Sequence, residues 1–392
     1  MKYRGSGRLG REVSALGFGC MRLPTLDGNP LSENIDEAET VRMIRHAVDR
    51  GVNYVDTAYP YHNGRSEVVT GKALRDGYRA KVKLATKSPV WQIAKPSDFD
   101  TCLGEQLVRL GTDHIDVYLF HALNTERWEG IVLRHGLLER AEAAVKDGRI
   151  GHIGFSFHDK ADVLRRIVDG YAGWSVCQVQ YNFMDTENQA GMPGVKYAAS
   201  KRLAVVVMEP LLGGRLAVPP QAAADVFRSS RRGWTPAEWA LQWVWDQAEV
   251  ATVLSGMTTM AQVEENLRAA ERSGIGSLDG DDRALIGRAR EILRERAPIP
   301  CTQCGYCQPC PSGVNIPRCL GLYNDAIMYD DVAFPRGIYS RFVPEGERAG
   351  ACTGCRECEA KCPQAIEISE CMTEVDAVLG KGTAPHLSAR RF

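Results

Sequence analysis

Four residues of the sequence could together transfer a proton: Asp56, Tyr61, Lys87 and His121. A phenol ionises at a pH of about 10 in water, and an adjacent ammonium group lowers that pKa by stabilising the phenolate. We therefore expect Lys87 to tune Tyr61, while Asp56 keeps Lys87 charged and oriented. His121 would position a substrate oxygen, so that the set donates and accepts a proton near neutral pH. An Asp–Lys pair that only links two strands, beside an incidental loop tyrosine, is the alternative.

A second set of reactive residues is the cysteines, which are distributed unevenly. Three of the thirteen occur in the first 300 residues, and ten lie between Cys301 and Cys371. In a reducing cytosol such clustering indicates metal ligation rather than disulfides. The first run, from Cys301, is C-x2-C-x2-C-x2-C-P, and the second, from Cys352, is C-x2-C-x2-C-x3-C-P. The second spacing is that of bacterial ferredoxins with two 4Fe–4S clusters.

In such runs three thiolates bind one cubane, and the fourth cysteine, next to proline, binds the other cluster. This logic predicts one cluster on Cys301, Cys304, Cys307 and Cys362. It predicts a second cluster on Cys352, Cys355, Cys358 and Cys310. Zinc is the alternative, but a zinc ion takes two C-x2-C pairs, whereas here three closely spaced cysteines occur twice. Cys319 and Cys371 lie outside the pattern and are predicted to be packing residues.

The elements that must position these residues are visible as an alternation of short apolar segments with amphipathic ones, up to about residue 270. Eight segments are predicted as strands: 13–21, 53–58, 82–87, 115–121, 152–157, 176–182, 203–210 and 250–257. Repeated strand–helix alternation predicts parallel βα units. Eight such units close into a (β/α)8 TIM barrel with its active site at the carboxyl ends of the strands. Asp56, Lys87 and His121 end three consecutive predicted strands.

A doubly wound open sheet is the competing α/β architecture, but no G-x-G-x-x-G follows the first predicted strand. The change in cysteine usage near residue 297 predicts two domains. The first is a barrel over residues 1–296, and the second is a small cysteine-rich, ferredoxin-like domain over residues 297–392.

Composition limits the class of protein further. The chain has 392 residues, 44% hydrophobic and 25% charged, with a formal net charge of −1. These values are typical of globular proteins and argue against a disordered chain or a polybasic one that binds nucleic acid. No apolar run reaches the roughly 18 residues of a membrane span, and the N-terminal residues lack the apolar segment of a secretion signal. We therefore expect a cytoplasmic protein with no membrane partner.

The sequence D-T-A-x-x-Y from Asp56 to Tyr61, together with Lys87 and His121, resembles the aldo-keto reductases. The likeness extends from the N-terminal residues to the EEN at 264–266. The resemblance implies a (β/α)8 barrel that moves a hydride between a nicotinamide dinucleotide and a carbonyl group. It also implies that Tyr61, rather than the neighbouring Tyr59, is the acid.

The same resemblance implies contacts to the cofactor. Ser156 and Gln178 lie where the family holds the nicotinamide carboxamide. Gly213 and Gly214, in the loop LLGGRL, would let the backbone approach the pyrophosphate. Arg215 and Arg228 are the first candidates for a further phosphate contact. The residues expected near the adenosine are Gly256, Gln262 and Asn266. This last segment lacks an evident basic clamp for a 2′-phosphate, so NADPH and NADH both remain open.

We therefore predict an enzyme that reduces an aldehyde or ketone to an alcohol with NAD(P)H, or catalyses the reverse, and that has two 4Fe–4S clusters. Electron transfer is the role that we favour for the clusters, and stabilisation of a domain too small to bury enough core is the alternative. A ferredoxin-linked reductase, in which an external ferredoxin or similar carrier supplies electrons through the clusters, is one alternative. A non-catalytic redox-sensing or binding protein is another. The intact set of four polar residues favours the enzyme.

Overall fold

The computed structural model describes residues 1–10, 12–30 and 32–385. The chain forms two compact units, the first of Met1–Ala217 and Ala237–Gly280, and the second of Val218–Pro236 and Asp281–Phe392. The domain boundary expected at residue 297 lies inside the second unit. Residues 386–392 of the expected second domain lie outside the described residues.

The first unit is built on a closed barrel of eight parallel strands, each hydrogen-bonded to its neighbours in chain order. The strands are β1 (Leu16–Gly19), β2 (Tyr54–Asp56), β3 (Lys83–Ser88), β4 (Ile115–Leu123), β5 (Ile150–Phe157), β6 (Val176–Gln180), β7 (Ala204–Met208) and β8 (Val250–Ser255). All eight predicted strands are therefore confirmed, and the open sheet is excluded because β8 pairs with β1. A short hairpin, Tyr3–Arg4 with Val13–Ser14, precedes β1.

A helix follows each strand, as parallel connections require. The helices are α1 (Glu37–Asp49), α2 (Arg65–Ala73), α3 (Pro96–Leu110), α4 (Leu137–Lys146), α5 (Ala161–Asp169), α6 (Gly191–Ser200), α7 (Pro236–Trp245) and α8 (Met260–Glu271). An additional helix, Gln221–Arg228, precedes α7. Local sequence sets several ends: proline occupies the first turn of α3, and Gly111 ends it with a left-handed φ of 62°.

Apolar side chains bury both faces of the barrel wall. Inside, residues such as Tyr54, Ala85 and Leu119 form one buried cluster. Outside, strand residues pack against the helices, and Phe155 meets the ring of Trp174 at a centroid distance of 4.9 Å. In a strand that is buried on both faces, a polar side chain costs free energy unless it is paired. Polar groups at the strand ends therefore need a partner or a function.

The second unit has its own core around three helices, α10 (Ile316–Met328), α11 (Ala333–Phe342) and α12 (Ile368–Val375), which follow α9 (Gly280–Glu295). The buried Asn324 side chain bonds both the backbone N–H and the carbonyl of Ile299, and so fixes the segment before the first cysteine run. Among the helices of the described part of the chain, none is both long and apolar enough to span a membrane.

Two helical glycines test how tightly the barrel's outer layer is packed. A Cβ at Gly71 of α2 would lie 2.4 Å from the carbonyl oxygen of Leu110, whereas a Cβ at Gly104 of α3 would meet nothing within 4 Å. We expect Gly71→Ala to destabilise the barrel by about 1–3 kcal/mol through overpacking. Gly104→Ala should instead stabilise it by about 0.5–1 kcal/mol by restricting the unfolded chain. Thermal unfolding of both variants measures this, and equal shifts for the pair would contradict the helix contact.

Candidate active site

The strand register brings three polar side chains to one place. Asp56 pairs with Ala85 of β3, and Lys87, two residues further on, pairs with Leu119 of β4, two residues before His121. Side chains two residues apart on a strand share a face. Asp56, Lys87 and His121 therefore lie on the face of Ala85 and Leu119, at the carboxyl end of the barrel interior.

A buried ion pair lies at the centre of this set. Lys87 Nζ donates to Asp56 Oδ1 at 2.6 Å and to the Thr57 carbonyl at 2.7 Å, with the two charged side chains only 1% and 3% exposed. Burial alone would lower the pKa of Lys87, but Asp56 and Tyr61 outweigh it, so the pKa is raised. Burial raises the pKa of Asp56, against the attraction of Lys87. Within the described residues, Asp56 Oδ2 has no hydrogen-bond partner.

Tyr61 completes the predicted four-residue set. Lys87 Nζ lies 3.4 Å from Tyr61 Oη and 4.9 Å from the centre of its ring. Burial is the largest influence on this phenol and raises its pKa above the ordinary value of 10.0, while Lys87 opposes the rise. Lys87 therefore acts in the expected direction, but the net pKa is raised rather than brought toward neutrality, because desolvation of a phenolate outweighs one ammonium already paired with Asp56. Tyr61 holds its proton at neutral pH.

The loop after Tyr61 is held in an uncommon backbone conformation. His62 and Asn63 have left-handed φ values of 49° and 57°, which non-glycine residues adopt rarely and often near functional sites. The buried His62 ring anchors the loop, because its Nδ1 lies 2.6 Å from the Ser32 carbonyl and its Nε2 accepts from the Leu23 N–H at 3.1 Å. The surrounding structure thus determines where Tyr61 lies.

A β-bulge positions His121. Between Phe120 and Leu123, β4 contains one residue more than its partner strand β5. Ala122 takes up the extra length with a φ of 55°, and its N–H donates to Ser156 Oγ at 2.7 Å. Bulges of this kind commonly re-aim a side chain beside an active site.

The His121 ring lies against two aromatic side chains. Its centre is 6.0 Å from that of Tyr61, edge to face, and 5.0 Å from the nearer ring of Trp91. Burial and the nearby Lys87 lower the pKa of His121 well below 6.5, so the ring is neutral at neutral pH. No residue that the structure describes bonds the buried Nδ1. Since buried polar atoms are normally satisfied, this atom suits a hydrogen bond to a bound ligand.

A buried polar network beneath Lys87 was not found from the sequence. Glu67 of α2 accepts from Thr86 Oγ1 and Gln106 Nε2, both at 2.6 Å. Gln106 also donates to the Lys87 carbonyl at 3.1 Å and accepts from the Tyr118 hydroxyl at 2.7 Å. The network fixes the backbone that carries Lys87. Its members come from four different elements, so no local spacing could indicate it.

Arg109 extends the network to the tyrosine loop. Its guanidinium pairs with Glu67 at 3.3 Å and donates to the Tyr59 carbonyl at 3.4 Å. It also stacks on the Tyr59 ring, with 4.2 Å between the guanidinium carbon and the ring centre. The loop between Asp56 and Tyr61 is therefore held from the side of α3 as well.

Ser156 and Gln178 are brought together on neighbouring strands, where they are register partners. Ser156 Oγ accepts from a backbone N–H, so its own hydrogen can be donated to a ligand. The buried Gln178 Oε1 lacks a partner within the described residues, and its Nε2 contacts Met208 Sδ at 3.6 Å. A carboxamide group, which both donates and accepts, fits this pair.

The glycines of the predicted phosphate loop have the expected freedom. Gly213 and Gly214 adopt φ values of 73° and 101°, which favour glycine, and a Cβ at Gly214 would meet nothing within 4 Å. Arg215 is buried and its Nε donates to the Leu212 carbonyl at 3.0 Å, so this side chain bonds its own loop.

The three residues expected near the adenosine lie at the end of β8 and in the first turns of α8. Gly256 follows the strand directly. Gln262 accepts from the backbone N–H and hydroxyl of Thr258, and Asn266 donates to Ser255 Oγ at 2.9 Å. These two side chains therefore brace their own segment.

Arg22, after β1, is a basic residue between these segments that sequence reasoning missed. Its Nη1 donates to the Gly213 carbonyl, and a Cβ at Gly256 would lie 3.5 Å from the Arg22 Cβ. The contacts place its guanidinium beside the glycine loop. The signal available was only a basic residue near the end of a strand, which is common on protein surfaces.

In the second unit, four cysteines line one small cavity: Cys301, Cys304, Cys307 and Cys362. Burial, and then the neighbouring thiols Cys304 and Cys362, raise the pKa of Cys301. Likewise, burial raises the pKa of Cys358 to about 11, with Cys310 and Cys352 adding to the rise. The first group contains all four cysteines of one expected set. The second contains Cys310, Cys352 and Cys358 of the other set, and its fourth expected member, Cys355, is not among these contacts.

The cysteine ligands are spread rather than gathered at a point. Across the described ranges, no three Cys, His, Asp or Glu side chains could share one metal ion. A 4Fe–4S cubane places each cysteine on a different iron atom, so a spread set of thiols is compatible with it. The donor chemistry of each group, four thiolates, is that of such a cluster.

Both cysteine loops have the same backbone. Gln303 and Gly305 have left-handed φ values of 57° and 80°, and Gly354 and Arg356, at equivalent positions of the second run, have 71° and 62°. Alternating left-handed residues turn successive N–H groups toward one side and form concavities that suit anionic iron–sulfur sites. Cys319 and Cys371, nine residues after the last cysteine of each run, are fully buried, as expected for packing residues.

Two family models match the chain. Residues 15–274 match the model of the Aldo/keto reductase family, and residues 300–367 match that of the 4Fe-4S dicluster domain. Among curated proteins, the chain is similar to "Probable aldo-keto reductase 1" of Glycine max, with 27% identity over 295 residues, 67% of this chain and 82% of that protein.

Two solved structures are similar to the chain. One is the holo form of an aldo-keto reductase from Bacillus halodurans, with 25% identity, a TM-score of 0.58, and 74% of this chain and 96% of that one covered. The other is a thermostable aldo-keto reductase in complex with the inhibitor epalrestat, with 25% identity, a TM-score of 0.61, and coverage of 74% and 100%. The chain belongs to the aldo/keto reductase family of oxidoreductases and carries a C-terminal 4Fe-4S dicluster domain.

Proposed function

We propose that this protein reduces an aldehyde or ketone to an alcohol with NAD(P)H, in the cytoplasm. The observation that carries the proposal is the contact of one buried ammonium, Lys87 Nζ, with both Asp56 and Tyr61. It places a protonated phenol beside a fixed positive charge at the carboxyl end of the barrel. That arrangement suits proton donation to an oxygen that gains negative charge.

The residues divide the reaction between them. A nicotinamide dinucleotide, when bound, supplies a hydride to the carbonyl carbon. Tyr61 gives its phenolic proton to the carbonyl oxygen, and the ammonium of Lys87 stabilises the phenolate until solvent returns a proton. Neutral His121 bonds the same oxygen and orients it.

Ser156 and Gln178 would hold the carboxamide of the nicotinamide, because their unused donor and acceptor complement it. The loop of Gly213 and Gly214 would pass the pyrophosphate, and Gly256 the adenosine end. We propose Arg22 as a phosphate contact in addition to Arg215, because each guanidinium bonds a carbonyl of the glycine loop and so lies beside it.

We further propose that the second unit holds two 4Fe–4S clusters that exchange electrons with an external carrier such as a ferredoxin. The clusters would take the crosswise ligand sets given above, which the spacing of the thiols supports. Such clusters supply one-electron transfer when present. Cys304 and Cys355 are exposed, which leaves one edge of each ligand set open to a partner.

The first test of the mechanism is Tyr61→Phe, which keeps the ring and removes the proton donor. Carbonyl reduction with NADPH should fall by about 10²–10⁴-fold while the fold is retained. Tyr59→Phe is the matched control and should keep most of the activity, because it retains the ring that Arg109 stacks on.

The raised pKa of Tyr61 also sets the pH dependence. The pKa of the phenol lies above its ordinary value of 10.0, so the phenol is protonated throughout the neutral range. The kcat/KM for reduction should therefore stay level across the neutral range and fall only in strong alkali. The kcat/KM for oxidation of the alcohol, which needs the phenolate, should rise over the alkaline range in which reduction falls. A fall in reduction near pH 7 would contradict this assignment.

The second test concerns the cofactor. Arg22→Met should weaken both NADPH and NADH by about tenfold, the effect of one hydrogen bond to a charged group, because the guanidinium lies beside the pyrophosphate loop. Fluorescence titration of each dinucleotide measures the affinities. A loss confined to NADPH would assign Arg22 to the 2′-phosphate instead, and no loss would remove it from the site.

The third test concerns the clusters. Anaerobically reconstituted protein should contain about eight iron and eight sulfide atoms per chain, and Cys362→Ala about half of each. Adding Cys304→Ala to Cys362→Ala should cost no further iron, because both cysteines serve one cluster, whereas adding Cys355→Ala should remove the rest. The reverse pattern would overturn the crosswise assignment, and stoichiometric zinc would overturn the clusters. Cys371→Ala is the control and should keep full iron.

A further inference from the structure

Arg127 is a charged residue at the same end of the barrel that the mechanism does not use. It lies six residues after His121 and is partly buried. Its Nη1 donates to the Ala122 carbonyl at 2.7 Å, and its guanidinium carbon lies 5.1 Å from the centre of the Trp91 ring. Burial lowers the pKa of this guanidinium, against the attraction of its neighbour Glu126.

The positive charge of Arg127 is not balanced by an ion pair. No carboxylate in the described ranges lies within 4.0 Å of the guanidinium. A partly desolvated cation normally pairs with an anion, since removing a charge from water is costly. The Ala122 carbonyl and the Trp91 ring that Arg127 contacts carry no net charge and do not neutralise it. By contrast, Lys87 is neutralised by Asp56. Arg127 therefore has charge left for an anionic ligand.

One indole ring, that of Trp91, contacts both this charge and the reacting centre. The Trp91 ring lies 5.0 Å from that of His121 and also against Arg127, and 40% of Trp91 is exposed. A molecule whose carbonyl oxygen bonds His121 could lay a short apolar chain along the indole. Its far end would then reach the guanidinium.

We propose that the substrate is a carbonyl compound with an anionic group, a carboxylate or a phosphate, that Arg127 binds. The proposal rests on the proposed reductase function and names its substrate class. The planar guanidinium can bond two oxygens of such a group at once, which gives orientation as well as affinity. Arg127 is then a specificity-determining residue, and Tyr61 and His121 carry the chemistry.

The test compares matched substrates that differ only in charge. Succinic semialdehyde and its methyl ester probe a carboxylate, and glyceraldehyde phosphate and glyceraldehyde probe a phosphate. Wild-type protein should have a higher kcat/KM for the anionic member of one pair than for its neutral partner. Whether this is the carboxylate pair or the phosphate pair shows which anion Arg127 binds. In Arg127→Met, kcat/KM for that anionic member should fall by about tenfold to a hundredfold more than for its neutral partner, chiefly through KM.

A structural role for Arg127 predicts something different. Arg127 also bonds the bulge residue Ala122. If its role were only to hold this backbone in place, the Arg127→Met change would lower kcat/KM equally for both members of a pair, and this result would overturn the proposal. Arg134→Met, which removes an exposed arginine from the same segment, is the control for charge alone and should leave the preference unchanged.

Failure of the anion site and failure of the reductase function give different results. Turnover of the neutral ester with NADPH supports the reductase whatever Arg127 does. If no member of either pair is turned over, the reductase proposal fails, and the anion site is decided by calorimetry of succinate and of inorganic phosphate binding to wild-type and Arg127→Met protein. Equal dissociation constants for the two proteins would overturn it.

Discussion

The burial of one ammonium group is the constraint on which the site depends. Lys87 lies inside the barrel with 1% of its side chain exposed, and a charge in that position is tolerated only when it is paired and hydrogen-bonded. Asp56 and the Thr57 carbonyl supply the partners, and both come from the end of the neighbouring strand. The ion pair therefore depends on the register of β2 and β3, in which Asp56 pairs with Ala85, two residues before Lys87. A polar network behind Lys87 then holds the backbone in that register.

The same desolvation decides the protonation of the groups around the pair. Burial raises the pKa of Tyr61 and lowers that of His121, so both are neutral where the ion pair is charged. A neutral phenol is a proton donor, and a neutral imidazole can bond a substrate oxygen without competing for its proton. One fixed charge and two uncharged partners thus suit reduction of a carbonyl group, in which an oxygen becomes negative and is then protonated.

The second unit follows a different constraint, the need to present thiolates around a cluster. Its two cysteine loops have left-handed residues at equivalent positions, Gln303 with Gly305 and Gly354 with Arg356. Each loop leads to a helix, α10 or α12, that carries a fully buried cysteine. The repeated arrangement supports the proposal that each half contributes three thiols to one cluster and one thiol to the other. In the first group, Cys362 of the second half lines the same cavity as the three cysteines of the first half.

The sequence by itself determined the barrel, the second domain and the residues of the ion pair. Strand periodicity and cysteine spacing are local properties, and the D-T-A-x-x-Y segment with Lys87 and His121 is a specific set. Tertiary structure alone decided the pKa of Tyr61, which the sequence misjudged because desolvation comes from atoms distant in the chain. It also decided the position of Arg22 beside Gly213, the network through Gln106, and the place of Arg127 one ring from His121. Each depends on contacts between different elements, and such contacts form only when the barrel closes and brings its strand ends together.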